Sequence, residues 1–502
     1  MSISGAITYD FVPNLFAGGL NYAGTQALPA RGVTLQLLNA SGAVVDSDVA
    51  SALGEYSLEG EPNTLYSVRA RAELKSTTSP TWDIRVEDNV NGDAQFVLDG
   101  SLLTTGSGGS VRNLHAASGW GGSAYTTTRA AAPFAIVDSV YQVLDELLSA
   151  GLNQNLPILG INWSTENRAN DGRTDDGDIG TSHFSSGETE IYILGDQNND
   201  TDEYDRSVVQ HEFGHYLEDA LSRSQNIGGS HGAGDKLDMR VAFGEGIANA
   251  LTAYTSGTGR YFDSGGGSQQ FGFRIDIEDF DSTNLGWYSE ESIAALVYDF
   301  MDPANETDDT LDLGFEALIS TISDSEYVSS DAFSSIFLYL DTLKNNSASQ
   351  ISTAISSAAL SHNINGDDEW GSNESNNGGA SGVLPIYNTL SLGTTVNVCT
   401  NDSEQIYNGL DVRRYIRITL PRLANYRFTI TTASQSTGNK NPEGILHLLN
   451  EGVFFFNSSS SNTEANTLSI NANNYILEVY DLNNTQLPGA GIACFDVSVS
   501  EI

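Results

Sequence analysis

The stretch SVVQHEFGHYLEDA, residues Ser207–Ala220, carries two histidines four positions apart. Residues at i and i+4 lie on one face of an α-helix, so this spacing lets His211 and His215 direct their imidazoles at one ion. Asp205 stands just before the stretch and is predicted to be the N-cap of the helix. An apolar stripe at helical spacing supports the helix, formed by Val209, Phe213, Leu217 and Leu221.

The glutamate that follows the first histidine completes a chemical pattern. Two neutral imidazoles can bind zinc, and a neighbouring carboxylate can accept a proton from the water on that metal. The chain has only seven histidines, so a chance His-Glu-x-x-His is expected on the order of 0.01 times. The sequence therefore predicts a zinc site with His211 and His215 as ligands and Glu212 as general base.

A third protein ligand is needed, and the segment VAFGEGIANALTAY supplies a candidate. The continuation HEFGHYLEDALSR lacks the glycine and third histidine of metzincins. The segment instead resembles the one from which gluzincin metallopeptidases take a glutamate ligand. The resemblance implies that Glu245 is the third zinc ligand and that Asn249 orients a ligand histidine.

The chain departs from the gluzincin pattern in two places. Residues 216–244 form a gap of 29, longer than is common in these families, and the excess SQNIGGSHGAGDKLD is rich in glycine. Gly244 stands where these families usually have asparagine. His231 and Asp235 in this insertion are the alternatives to Glu245 as third ligand. His231 is otherwise either a cleft residue that assists the transition state or a solvated loop histidine.

Gluzincins stabilise the oxyanion with a tyrosine or histidine that follows the ligands. The segment ESIAALVYDFMD places Tyr298 on a predicted helix, Glu290–Met301. The resemblance implies that Tyr298 is this donor, and a packed core tyrosine is the alternative. The implied activity is hydrolysis of a peptide or protein substrate. We expect an endopeptidase, because the chain carries no recognisable exopeptidase signature.

Two features precede the histidine helix. The segment ETEIYILGD, residues Glu188–Asp196, is predicted to be a strand. The gluzincin resemblance implies that it is the edge strand that pairs with an extended substrate, and an ordinary strand of the sheet is the alternative. The loop DQNNDTDEYD is not an EF-hand, because its sixth position is Thr201 and its twelfth is Ser207. The carboxylates of this loop form either a calcium site or a solvated acidic turn. They are Asp196, Asp200, Asp202, Glu203 and Asp205.

Both ends of the chain read as short strands. In the first 100 residues, ARGVTLQLLNASGAVV, GEYSL and YSVRARAEL resemble the transthyretin-like or carboxypeptidase-regulatory β-sandwich of secreted bacterial proteins. The polar segment NINGDDEWGSNESNNGGASG reads as a linker, and strands such as YIRITL and YILEVYD follow it. This tail resembles the bacterial pre-peptidase C-terminal domain. Cys399 and Cys494 lie near its first and last strands and are expected to pair, with two buried thiols as the alternative.

The charge balance excludes some partners. The chain of 502 residues has 22 basic and 65 acidic residues, a formal charge of -43, which repels nucleic acid and anionic membrane surfaces. No apolar run is long enough to cross a membrane, so membrane insertion is not expected. The start MSISGAITYD lacks the regions of a signal peptide. The chain is therefore either cytosolic or a mature form whose signal was removed, and with the expected disulfide we interpret it as a mature secreted, periplasmic or cell-surface form.

These observations predict a multidomain protein. An α+β zincin-type catalytic domain at 101–385 is flanked by all-β sandwich domains at 1–100 and 386–502, and the middle part is expected to fold without its flanks. The predicted function is a secreted zinc metallopeptidase. The alternative is a binding or adhesion protein that keeps an inactive, zinc-stabilised zincin fold. Glu212 argues against this alternative, since a structural zinc site needs no base.

Overall fold

The structure is a computed structural model that describes residues 1–278, 284–303, 311–448, 452–456 and 462–502. The chain forms two compact units. The first unit comprises Met1–Leu221 and Leu251–Ile277, and the second comprises Ser222–Ala250 and Glu278–Ile502. The described parts consist mainly of β-sheets, with helices concentrated in the middle of the chain.

The elements of the first unit include nineteen strands, most of them short. In chain order they and the first three helices are β1 (Ser2–Phe11), β2 (Gln26–Pro29), β3 (Val33–Asn39), β4 (Val44–Val49), β5 (Glu55–Glu59), β6 (Leu65–Ser76), β7 (Trp82–Asp88), β8 (Ala94–Gln95), β9 (Val97–Asp99), β10 (Leu103–Thr104), β11 (Ser110–Val111), β12 (Leu114–Ala116), α1 (Ala132–Ser149), β13 (Leu159–Trp163), β14 (His183–Ser185), β15 (Glu190–Ile193), β16 (Gly195–Asp196), β17 (Asp200–Thr201), α2 (Arg206–Leu221), α3 (Met239–Ser256), β18 (Arg260–Gly265) and β19 (Phe271–Asp276). The division between the units falls within α3, after Ala250.

Two sheets organise the first unit. In one, β1 pairs with β2, β5, β11 and β12. The other follows the order β14-β15-β13-β7-β6-β3-β4, with β8, β9 and β10 at its sides. Its central pairing joins β13 in parallel to β7, with Ile161 opposite Val86. The sheet therefore crosses the boundary that the sequence predicts at residue 100. That the three predicted domains fold independently stays a prediction.

The stretch PFAIVDSVYQVLDELLSAG has apolar residues at helical spacing, which predicts a helix with one apolar face, and the structure has this helix as α1. Pro133 occupies its first turn, where a missing backbone N–H costs nothing. Gly151 follows its end with φ of 85°, a left-handed conformation that glycine adopts without strain. The helix contacts β6, β7 and α2. The residues of the predicted apolar face are all buried: Phe134, Val137, Val140, Val143, Leu144 and Leu147.

The prediction that ETEIYILGD forms the edge strand is wrong. Strand β15 lies between β13, its parallel neighbour, and β14, its antiparallel neighbour. Ile191 and Ile193, which point to the same face of the sheet, are fully buried. In the described strand order, β14 and β4 are at the two ends of this sheet, and β14, a strand of three residues, is the edge next to β15.

The second unit begins with helices and ends with strands. Its remaining elements are α4 (Glu290–Met301), α5 (Glu316–Ile322), α6 (Ser325–Ser329), α7 (Ile336–Asn345), α8 (Ser349–Ser361), β20 (Tyr387–Leu390), β21 (Thr395–Thr400), β22 (Arg413–Leu420), β23 (Ala424–Thr432), β24 (Pro442–Leu448), β25 (Gly452–Phe456), β26 (Thr463–Ile470), β27 (Asn473–Asp481), α9 (Leu482–Gln486) and β28 (Ala493–Glu501). Helix α4 has the predicted bounds. Residues 330–335 are not helical and separate α6 from α7.

The strands of the second unit form two sheets around one core. The first has the order β20-β22-β27-β24-β25 and the second β21-β28-β23-β26. Alternate side chains from both sheets meet in a buried cluster that includes Ile416, Leu477, Phe428 and Val497. This arrangement is compatible with a β-sandwich. The expected disulfide is confirmed, since Cys399 on β21 is bonded to Cys494 on β28.

None of the described helices is long and apolar enough to cross a membrane.

Candidate functional site

The two histidines of α2 face each other. Nε2 of His211 lies 3.1 Å from Nε2 of His215, and the ring planes are 89° apart. Helix α2 is held in place by its apolar stripe, because Val209 and Phe213 on the opposite side are fully buried. His211 is 8% exposed and His215 is half-buried. The predicted i, i+4 geometry is therefore present in the structure.

Glu212 is fixed by a backbone contact from the edge strand. The amide N–H of Phe184 on β14 donates to Oε2 of Glu212 over 2.8 Å. Glu212 is 8% exposed. A carboxylate with one oxygen bound by a backbone donor has a defined orientation, so Glu212 has the positioning that a general base needs.

The start of α2 is anchored differently from the expectation. Asp205 has the predicted N-cap position, since it directly precedes α2 and its carbonyl oxygen accepts from the amide of Val209 over 3.2 Å. Its side chain accepts from Asn14 and from the amide and hydroxyl of Ser264 instead. Farther along α2, the amide oxygen of Gln210 accepts from the hydroxyls of Thr252 and Thr255. These bonds attach the last turns of α3 to α2.

Glu245 lies on the same continuous helix, two turns before Thr252, so the two residues share one face. Within the second unit, Oε1 of Glu245 accepts from Nδ2 of Asn226 over 2.8 Å. Its Oε2 lies 3.5 Å from Nε2 of His231. Glu245 is 5% exposed. The glycine-rich insertion thus supplies two side chains that contact the predicted third ligand.

His231 is surrounded by acceptors. Its Nε2 is 3.8 Å from Oε2 of Glu290, and Nδ1 is 3.0 Å from the carbonyl oxygen of Gly229. Burial alone would lower the pKa of the His231 imidazole. The neighbouring carboxylates of Glu245 and Glu290 outweigh this effect and raise the pKa to about 10. The choice between a ligand role and a cleft role for His231 stays a prediction. Asp235, the other rival, accepts from the amide of Gly232.

Asn249 binds Glu290 as well. Its Nδ2 donates to Oε1 of Glu290 over 2.6 Å. Glu290 therefore contacts both Asn249 and His231. No motif in the sequence identifies it as a site residue. The role of Asn249 in orienting a ligand histidine stays a prediction.

The glycine after Glu245 permits close packing between helices. A Cβ on Gly246 would lie 2.6 Å from Cγ2 of Ile293 and 3.0 Å from the carbonyl oxygen of Glu290. Real Cβ atoms do not approach other atoms so closely. Gly246 therefore lets α3 lie directly against α4, the helix that carries Glu290.

Among the described residues, two groups of acidic and histidine side chains have ligand atoms within 4.8 Å of one another. One contains His211 and His215 of α2. Two nitrogens bound to a tetrahedral zinc ion at about 2.0–2.1 Å would be about 3.3 Å apart, close to the separation of the two Nε2 atoms. Two imidazoles and one carboxylate are a donor set that suits zinc.

The second group is Asp200, Asp202 and Asp263. Burial raises the pKa of Asp200 to about 6, and burial together with Asp205 and Asp200 raises that of Asp263 to about 8. Other carboxylates of the acidic loop lie elsewhere. Glu203 forms an ion pair of 2.8 Å with Arg129, and Asp196 accepts from the amide of Asn198. Asp263 was missed because it follows Asp200 by 63 positions in the sequence.

Tyr298 lies on α4, as predicted, and is 7% exposed. Burial and the neighbouring Glu278 carboxylate raise its pKa well above the usual range. A neutral, buried hydroxyl is compatible both with an oxyanion donor and with a packed tyrosine, so its role stays a prediction.

Comparisons with known proteins identify no family. No family model matches the chain, and no curated protein matches it. Similar solved structures include the pre-peptidase C-terminal domain of collagenase from Bacillus anthracis (15% identity, 22% of this chain and 93% of that chain, TM-score 0.18). They also include a surface-associated copper-binding protein of Methylomicrobium album BG8 (10% identity, 23% and 98%, TM-score 0.18). A third is a periplasmic inhibitor of g-type lysozyme from Aeromonas hydrophila (12% identity, 22% and 96%, TM-score 0.14). At these TM-scores the similarities carry no argument about function.

Proposed function

We propose that this protein is a secreted zinc metallopeptidase that cleaves internal peptide bonds. The observation that carries the proposal is the 3.1 Å separation of the His211 and His215 Nε2 atoms, with Glu212 beside them on one helix. Glu245 is the proposed third ligand, as the gluzincin resemblance implies. Its support is its place on α3, the helix whose last turns are bonded to α2 through Gln210.

Each residue has a proposed task. Bound zinc would supply a Lewis acid and lower the pKa of a water molecule. Glu212, oriented by the Phe184 amide, accepts the proton and passes it to the leaving amine. His231, which lies beside Glu245, supplies positive charge near the developing oxyanion. Tyr298 is the second proposed donor to that oxyanion.

The edge strand offers a place for the substrate. An extended peptide can add to the exposed edge of a sheet through main-chain hydrogen bonds. Strand β14 is at one edge of its sheet, and the amide of its Phe184 donates to Glu212. We therefore assign to β14 the substrate-pairing role that the sequence assigned to ETEIYILGD. We also propose that the protein is secreted and that β-sandwich domains flank its catalytic part. Both statements rest on the sequence resemblances.

The test compares wild type with Glu212→Gln on a peptide library blocked at both termini, so that only internal cleavage is scored. Glu212→Gln should keep its zinc and lose about 10²–10⁴-fold in rate, the usual contribution of a general base. Asp219→Asn, an exposed carboxyl change on the same helix, is the matched control and should retain activity. Near-normal hydrolysis by Glu212→Gln would refute the proposal. Zinc-loaded wild type that cleaves no peptide would favour the binding or adhesion alternative.

A further inference from the structure

A second cluster of carboxylates lies in the first unit, outside the proposed zinc site. It combines two parts of the chain: Asp200 on β17 and Asp202 come from the acidic loop, and Asp263 comes from β18. Each of the three offers an oxygen within 4.8 Å of the others. Strand β17 contacts β18 directly, so the packing of the unit brings these carboxylates together.

Two of the carboxylates in this cluster have a buried oxygen that accepts no hydrogen bond from the described residues. Asp202 is 3% exposed. Its Oδ2 accepts from the hydroxyl of Ser182, but its Oδ1 is buried and has no hydrogen-bond partner among the described residues. Oδ1 of Asp200 is in the same state. Buried carboxylate oxygens without donors are costly, and the cost is removed either by a bound cation or by a proton shared between the two carboxyl groups.

We propose that Asp200, Asp202 and Asp263 bind one calcium ion. The group offers only oxygen ligands, which favours a hard cation over zinc or copper. Three carboxylates can supply up to six oxygens, whereas magnesium usually keeps several waters and binds through one or two carboxylates. Calcium accepts six to eight oxygens in irregular arrangements, whereas magnesium requires near-octahedral geometry. The net charge of -43 also favours cation binding.

This site would support the start of the histidine helix. Asp205 directly precedes α2 and accepts from Ser264, the neighbour of Asp263. The hydroxyl of Ser207 accepts from the amide of Phe262 on the same strand. Calcium between the acidic loop and β18 would strengthen this attachment, so its expected effect is to stabilise the first unit.

The experiment titrates the full zinc-loaded chain with calcium chloride at about pH 8 in moderate salt, by calorimetry and by thermal unfolding. The variants are Asp202→Asn and Asp263→Asn, and the matched control is Asp176→Asn, an exposed carboxyl with a side chain 64% exposed. Wild type and the control should bind one calcium and unfold at a higher temperature with it. Both cluster variants should bind at least tenfold more weakly, because each loses a charged ligand.

Several outcomes would overturn the inference. They are the absence of saturable binding by wild type, equal responses of all four proteins, and equal affinity for magnesium chloride. If the carboxyl groups of Asp200 and Asp202 instead share a proton, Asp202→Asn should unfold at a higher temperature than wild type in the absence of calcium. Calcium should then change the unfolding temperature of neither protein. If Asp202→Asn does not fold, Asp263→Asn decides, since Asp263 is only partly buried. Because no readout is hydrolysis, the result is independent of the proposed peptidase activity.

Discussion

Replacement of Glu478 by glutamine should strongly destabilise the second unit. Glu478 lies on β27, is 1% exposed, and accepts from three side chains. Oε2 lies 3.0 Å from Nη1 of Arg240 at the start of α3 and 3.0 Å from Nε2 of His447. Oε1 accepts from Nη1 of Arg413 over 2.7 Å. Since Arg240 also pairs with the buried Asp238, the cluster contains two positive and two negative groups.

The expected magnitude follows from the burial of the arginines. Glutamine keeps the shape of the side chain but leaves an uncompensated positive charge among groups that are at most 6% exposed. Breaking a buried ion pair by removing one partner costs about 3–5 kcal/mol. For a unit of this size, about 2–3 °C of melting temperature corresponds to 1 kcal/mol, so we expect a decrease of about 6–15 °C.

The pH dependence of the effect has a definite sign. Burial raises the pKa of Glu478, but Arg240 and Arg413 lower it more, so it lies well below the usual range. A carboxyl with a depressed pKa stabilises the folded state above its unfolded pKa of about 4.3, and this stabilisation is lost as the pH falls further. The difference between wild type and Glu478→Gln should therefore be complete at pH 7 and decrease below about pH 4.3.

Scanning calorimetry of the full chain measures both effects. The matched control is Glu501→Gln, which removes an exposed ion pair with Arg422 in the same sandwich. Exposed pairs contribute about 0–1 kcal/mol, so this variant should unfold close to wild type. If Glu478→Gln unfolds within about 1 kcal/mol of the control, then the buried cluster does not hold α3 to the sandwich.

Two other substitutions test packing and burial in the second unit. Gly246→Ala should lower the free energy of unfolding by about 1–3 kcal/mol, because the new methyl would lie 2.6 Å from Cγ2 of Ile293. The control is Gly232→Ala, where the methyl meets open space. Thermal unfolding compares the two variants, and equal stabilities would contradict the prediction. Glu443→Gln should stabilise the unit by about 1–3 kcal/mol at pH 8, because burial and the nearby Glu464 raise the pKa of Glu443 to about 7. Ionisation above that pKa opposes folding, so the gain should vanish at about pH 4, and a gain that is equal at both pH values would refute the interpretation.

The local parts of the site could be predicted from the sequence. The spacing of His211 and His215 and the apolar stripe beside them are properties of one helix, and the structure has both. The same holds for α1, whose periodic apolar residues and terminal Gly151 mark its face and its end. A helix is stabilised by contacts three and four residues apart, which a sequence shows directly.

The long-range parts could not be predicted. The pairing of β7 with β13 and the contact of Arg240 with Glu478 cross the predicted boundaries at residues 100 and 385. A fragment of residues 101–385 would lose both, so its independent folding is now less expected than the sequence suggested. Asp263 approaches Asp200 only because a hairpin packs on the acidic loop. Such pairings depend on tertiary packing, for which no local pattern exists.

The central claim is that zinc is bound by two histidines of α2 and a glutamate of α3. The most direct measurement is an anomalous difference map from crystals of the full chain, recorded on both sides of the zinc absorption edge. We predict one strong peak within about 2.0–2.2 Å of Nε2 of His211, Nε2 of His215 and a carboxylate oxygen of Glu245. Zinc-replete crystals with no peak between the two histidines, or a peak bound by His231 in place of Glu245, would contradict it.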